Sequence, residues 1–243
     1  MLQVRKKRMK PRILVVGNYT FDIVNDKTSD GGSPIYSSLG IKYAGGIVDI
    51  LSGEERAIFK IDISDSSSRK LILMRKGSNI DLANINHYSY VDGILINPVC
   101  QEVKALYALP KPLSIDLQGF VRNCIESHEI ENSEDIDDIV VPAQYLVAHA
   151  NYDEVSAIDG NITKLIKLGF KELLISYGRD GFDLITYTSS KWFPVHEIGN
   201  FEIGNGDFLL GAYFTFRLKG YSPIDAASLS KKLVEDFSNL RLH

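Results

Sequence analysis

Ile203-Gly204-Asn205-Gly206-Asp207 runs straight into the apolar stretch from Phe208 to Leu218. The reading is a glycine turn that opens a buried helix. Eight of the residues from 208 to 218 are apolar or aromatic (Phe208, Leu209, Leu210, Ala212, Tyr213, Phe214, Phe216, Leu218), which leaves almost no polar face. Gly220 is placed to cap the helix, and Ser222-Pro223-Ile224-Asp225 restarts the next one with a serine N-cap, a proline at the first helical position and an acid behind it. The first N–H groups of the buried helix have no partner within it, and its dipole adds positive potential in front of them. Gly204 and Gly206 let an anion approach that backbone, and Asp207 is a carboxylate in the same field, suited to accept a proton from a hydroxyl. Phosphate donors beside one base are the equipment of phosphoryl transfer to an alcohol. An ordinary loop with a capping aspartate fits the same five residues.

Working outward, the chain alternates apolar strands and helices. Ile13 to Val16, Ile94 to Ile96, Leu113 to Leu117, Tyr145 to Ala148 and Leu173 to Tyr177 are short apolar runs suited to a buried parallel sheet, and the helices between them predict an α/β fold. Asn18 and Asp22 follow the first strand, where open α/β sheets place ligands. Asp22 fits a hydroxyl ligand or a capping acid equally well. Gly31-Gly32 precedes a helix with a stripe of Ile35, Leu39 and Tyr43. From 47 to 76 the pattern is that of strands: Ala57 to Ile63 and Lys70 to Arg75 alternate around a serine-rich turn, which predicts a hairpin acting as a small β lid or as a sheet edge. Gln118 and Arg122 lie at and beyond the end of the 113–117 strand, and Arg122 suits an acid or an anion. Asn151 and Glu154 are spaced either to hold Mg2+ through water or to form a capping box. Gly178 and Gly181 follow Ser176, as a phosphate approach or as a hairpin turn. The acidic stretch from Glu126 to Asp138 reads as a solvated loop or helix face.

Composition sets the outer limits. The chain has 243 residues, 44% hydrophobic and 24% charged, enough for one large domain or a domain with a small appendage. Residues 1–12 carry six Lys/Arg and no acid and read as a basic tail, so residues 13–243 hold 21 bases against 31 acids. An acidic body argues against nucleic acid as the main ligand, and no apolar run reaches membrane-spanning length. Cys100 and Cys124 show neither metal-ligand spacing nor a disulfide framework, which predicts a reducing, cytoplasmic setting. The five histidines show no ligand spacing either.

The order of these pieces resembles the ribokinase-like PfkB family of carbohydrate and nucleoside kinases. Val16-Gly17-Asn18 with Asp22, Gly31-Gly32, Asn151-x-x-Glu154, Ser176-Tyr177-Gly178-x-x-Gly181 and Gly204-Asn205-Gly206-Asp207 carry the resemblance across nearly the whole chain. Asp116 to Arg122 also looks like a segment of sugar-kinase relatives, and Val15 to Asp22 like the opening of the plant inositol kinases. The resemblance implies a three-layer sandwich with a mainly parallel central sheet, one kinase domain over 13–243 and a β lid from about 47–76. It implies ATP- and Mg2+-dependent transfer to a hydroxyl of a sugar, cyclitol or nucleoside. In that scheme Asp207 is the base, and the N–H groups of Gly204, Asn205 and Gly206 form the anion hole. Asn151 and Glu154 organise Mg2+ and phosphates, Glu154 acting through water, and Ser176, Gly178 and Gly181 line the nucleotide site. Asp22, Gly31, Gly32, Tyr36, Gln118 and Arg122 hold the acceptor. Family lids often dimerise, which implies a homodimer through the lid.

Two departures stand out. The Asp-Thr pair usual before the catalytic turn is absent, and Tyr36 replaces an asparagine that helps hold the sugar. They admit a second reading, a catalytically weak or inactive member that binds nucleotide or sugar and regulates a partner. A dinucleotide-binding dehydrogenase lacks its glycine fingerprint after the first strand.

Overall fold

The computed structural model describes residues 10–24, 26–65, 68–83, 85–103, 111–133, 145–158, 165–166, 169–197, 199 and 203–240. The basic tail lies outside them up to Met9, as do the part of the acidic stretch after Ser133 and the stretch from 104 to 110. Among the described residues the strands are β1 (Arg12–Val16), β2 (Thr20–Val24), β3 (Lys27–Gly31), β4 (Ile47–Leu51), β5 (Ala57–Asp65), β6 (Ser68–Arg75), β7 (Gly93–Ile96), β8 (Leu113–Asp116), β9 (Arg122–Asn123), β10 (His128–Glu129), β11 (Glu131–Asn132), β12 (Tyr145–Asn151), β13 (Glu172–Ser176), β14 (Gly181–Thr186) and β15 (Ser190–Pro194). The helices are α1 (Ser33–Tyr43), the single turn α2 (Gln118–Val121), α3 (Tyr152–Ala157), α4 (Asn205–Leu218) and α5 (Pro223–Ser238).

The apolar runs build one sheet in the order β15-β14-β13-β12-β8-β7-β1-β4. From β4 to β13 all neighbours are parallel, and β14 and β15 add an antiparallel edge. Alternate side chains feed two cores, as a strand's period of two requires. Ile13, Val15, Leu95, Val147 and Leu174 pack under α1, α4 and α5. Leu14, Val16, Ile94, Ile96, Ile115 and Ile175 face a second layer that includes Val155, Leu165 and Phe170. The parallel strands all end at one edge, where the site residues collect.

The lid differs from the 47–76 span expected of it. Ile47–Leu51 pairs parallel with β1 and belongs to the main sheet. The lid is a separate five-stranded sheet, β10-β6-β5-β2-β3. The predicted hairpin supplies β5 and β6, and residues 20–31 supply β2 and β3, so Asp22 sits on a lid strand rather than in a loop after β1. The cysteine expectation is also corrected. Cys100 and Cys124 are joined in a disulfide, with Cα atoms 5.9 Å apart. Both are buried with Ala57, Phe59, Leu73 and Val99 at the joint between lid and body. Tertiary contact, not spacing along the chain, brings them together. Disulfide-bonded cysteines do not indicate a reducing compartment. Among the described residues no helix is long and apolar enough to cross a membrane.

A buried ionic network fixes α4 against the sheet. The Glu172 carboxylate accepts from Tyr213 Oη at 2.7 Å and from Arg217 Nε and Nη2 at 3.0 and 2.7 Å. Removing one partner of such a pair leaves a buried charge uncompensated. Arg217→Met is expected to cost about 3 kcal/mol of unfolding free energy, read in denaturant titrations. A loss below about 1 kcal/mol would mean water already screens the pair.

Candidate active site

The turn before α4 sets the geometry. Gly204 is its N-cap with φ 76°, a left-handed conformation that glycine adopts without cost. A Cβ there would also fall 2.1 Å from Tyr36 Cγ, so the Tyr36 ring lies directly on this backbone. Phe208 N donates to Gly204 O at 2.9 Å and opens the helical ladder. The helical ladder itself provides no partner for the N–H groups before it.

Two cavities meet at this turn. The larger, about 310 Å³, holds all nine residues expected as base, anion hole and cofactor site: Gly204 to Asp207, Asn151, Glu154, Ser176, Gly178 and Gly181. The smaller, about 120 Å³, is walled by Asp22, Gly32, Tyr36, Gln118 and Arg122, with Phe59, Ile61 and Leu71 contributed by the lid. Gly204, Asp207, Gln118 and Arg122 border both. Gly31 is no wall of either: it packs against the Asp22 carboxylate, 2.2 Å from where its own Cβ would lie. Asp22 Oδ1 accepts from Thr20 Oγ1 at 2.8 Å.

Asp207 is the carboxylate at the junction. Its Oδ1 accepts from Asn97 Nδ2 at 2.7 Å and Gln118 Nε2 at 3.1 Å. Burial, and then the charge of Asp116, push its carboxyl up to about 6, against the pull of the Asn97 hydrogen bond, His149 and Arg122. A carboxylate with that value is able to accept a proton near physiological pH.

Asn151 and Glu154 form a complete capping box on α3. Asn151 Oδ1 accepts from Glu154 N at 2.8 Å, and Glu154 Oε2 from Asn151 N at 2.9 Å. Burial and the Asp116 charge raise the Glu154 carboxyl to about 7. Arg122 Nη2 stands 3.9 Å from Glu154 Oε1. Among the described residues no group of three or more His, Cys, Asp or Glu is placed to hold a metal. With both side chains engaged in the capping box, they would reach Mg2+ through its water shell, as magnesium commonly allows, with the remaining ligands coming from phosphates.

Three buried residues complete the site without having been singled out in the sequence. Asn97, just past β7, holds Asp207 and also donates from Nδ2 to Ser37 Oγ at 2.9 Å. Asp116, ending β8, accepts from Gln118 N at 3.0 Å and lies 2.8 Å from His149 Nδ1. His149, on β12, is raised above the ordinary imidazole range: its burial works the other way, but the charge and hydrogen bond of Asp116, with the charges of Glu154 and Asp207, outweigh it together. Asp116 opens the segment up to Arg122 that resembles sugar-kinase relatives, and the only signal of Asn97 and His149 was a polar residue at or near the end of an apolar run.

No family model matches the sequence, and no curated protein does. Solved structures do match in shape. A pyrophosphate-dependent kinase in the ribokinase family, complexed with a pyrophosphate analog and myo-inositol, superposes with a TM-score of 0.69 at 14% identity, over 93% of this chain and 94% of that one. Thermotoga maritima ribokinase gives 0.65 at 15% identity, over 96% and 94%. Arabidopsis thaliana ribokinase, complexed with ribose and ATP, gives 0.60 at 13% identity, over 93% and 92%. With its parallel sheet, its separate β lid and the glycine turn before α4, the chain has the ribokinase fold.

Proposed function

We propose that the chain is a PfkB-type kinase that transfers a phosphoryl group from ATP to a hydroxyl of a sugar, cyclitol or nucleoside. The observation that carries this reading is Asp207, a carboxylate shared by two cavities at a helix N-terminus. The acceptor lies in the smaller cavity under Phe59, Ile61 and Leu71, and the donor phosphates lie in the larger. The acceptor hydroxyl loses its proton to Asp207, whose position Asn97 and Gln118 fix. The hydroxyl oxygen then bonds to the terminal phosphorus as the bond to the bridging oxygen breaks, and that electron pair leaves with ADP. Charge on the transferring group is met by the N–H groups of the 204–206 turn and by Arg122, which borders both cavities. Mg2+ bound with the phosphates supplies further positive charge there. ATP is favoured as donor because the larger cavity continues to Phe182, Val195, Leu209 and Val234, apolar walls that suit a nucleobase.

The test is ADP or phosphate release with Mg-ATP and, separately, Mg-pyrophosphate, against a panel of sugars, inositols and nucleosides. Acceptor-dependent release with ATP is the expected result. Turnover with pyrophosphate alone would move the donor assignment to the chemistry of the inositol-kinase neighbour. Silence with every pair, while ATP still raises the melting temperature, would favour a binding protein.

A further inference from the structure

His149 has no role in the transfer just described, yet it occupies the floor of the donor cavity. Its side chain is almost wholly buried. One nitrogen, Nδ1, is 2.8 Å from Asp116 Oδ2, which places a proton on that atom and fixes the ring. The other, Nε2, is 3.2 Å from the hydroxyl of Ser176, and both residues line the cavity. The ring also lies beneath the turn that opens α4. A Cβ on Gly206 would come within 2.6 Å of His149 Cε1 and 3.1 Å of Nε2. Gly206 is thus required by the imidazole under it as well as by an anion in front of it.

We propose that His149 and Ser176 form a phosphate subsite of the donor cavity, with Asp116 as the group that positions the imidazole. The assignment rests on reading the larger cavity as the donor site. The second ring nitrogen is turned to the lining of the donor cavity. Here that nitrogen meets a hydroxyl on the cavity wall, beside the 204–207 turn that lines the same space. With a second proton taken up from water as the phosphate binds, Nε2–H meets a phosphate against the turn directly or through the Ser176 hydroxyl, and Asp116 balances the charge from behind. Charge-assisted donors of this kind are the stronger class of hydrogen bond. Asp116 touches no substrate in this arrangement and acts through His149.

Inorganic pyrophosphate is the probe, because it carries the phosphates common to either donor and needs no acceptor. Calorimetric titration of the full chain with pyrophosphate and Mg2+ is compared for wild type, His149→Gln and Ser176→Ala. The expected result is a Kd raised about tenfold or more in His149→Gln and about threefold in Ser176→Ala. In turnover the donor KM should rise while the acceptor KM holds, a split that a purely structural role would not produce. A folded His149→Gln that binds pyrophosphate within a factor of about two of wild type overturns the proposal, as does a wild type that binds none. Should His149→Gln fail to fold, Ser176→Ala decides on the same criterion. If no acceptor supports turnover, the transfer reading fails, and the calorimetry still reports on the subsite by itself.

Discussion

Asp207→Asn is expected to lower kcat by about 10³-fold while leaving the protein as stable as wild type, or more so, above neutral pH. The amide keeps an oxygen for Asn97 Nδ2 and Gln118 Nε2 but accepts no proton from the acceptor. The stability half of the expectation follows from linkage. Burial raises the Asp207 carboxyl from 3.8 to about 6 in the folded chain, so the fold favours its neutral form. That preference stabilises the protein fully below the unfolded value and is lost as pH rises through about 6. Above it the buried carboxylate costs of the order of 3 kcal/mol, which the asparagine removes. The same ionisation governs rate. Wild-type kcat/KM should fall about tenfold per pH unit below about 6 and level off above it. Steady-state rates from pH 5 to 8, beside thermal melts of both proteins, check the two halves together. Retained turnover in the variant would mean that another group takes the proton, and the reading of the 203–207 turn would fail with it.

What could be read from the sequence was local. The glycine turn, the all-apolar face of α4 and the serine cap of α5 each depend on residues within one or two turns, and they stand where they were expected; Ser222 Oγ accepts from Asp225 N at 3.1 Å. The apolar runs likewise became sheet strands, because burial on both faces selects for them regardless of neighbours. What was not legible depends on pairing. Lys27–Gly31 reads Lys-Thr-Ser-Asp-Gly, with no strand pattern, and is a strand only because β2 lies beside it. Ile47–Leu51 looked continuous with the lid strands, and β1 draws it into the main sheet instead. Asn97, Asp116 and His149 are 52 residues apart from first to last. They converge because β7, β8 and β12 are successive neighbours with their carboxyl ends aligned. No spacing along the chain carries that order.

Reduction of the Cys100–Cys124 disulfide is the second large effect expected, and it links stability to the acceptor cavity. The bond closes a loop over a sequence separation of 24. In the chain-entropy account a loop of that length is worth about 3 kcal/mol, or a melting temperature lower by about 10 °C when the bond is opened. Both cysteines belong to the apolar joint under the lid, with Phe59, a wall of the smaller cavity, in the same cluster. Arg122 lies two residues before Cys124. Its backbone carbonyl accepts from Gln101 Nε2 at 2.8 Å, and its guanidinium donates from Nη1 to Val99 O at 3.2 Å. The disulfide, the Gln101 bond and the Val99 bond therefore clasp the same two segments, 99–101 and 122–124. Opening the covalent member leaves the hydrogen bonds to hold Arg122 at the junction of the cavities. The acceptor KM should rise several-fold, and by more than the donor KM, whose other contacts lie across β12, β13 and the α4 turn. Cys100→Ser with Cys124→Ser, and the wild type with and without a thiol reductant, provide the comparison in thermal melts and in acceptor titrations. A melting temperature that reductant and double substitution both leave unmoved would show that the joint is held by its apolar packing and that the covalent bond adds nothing to it.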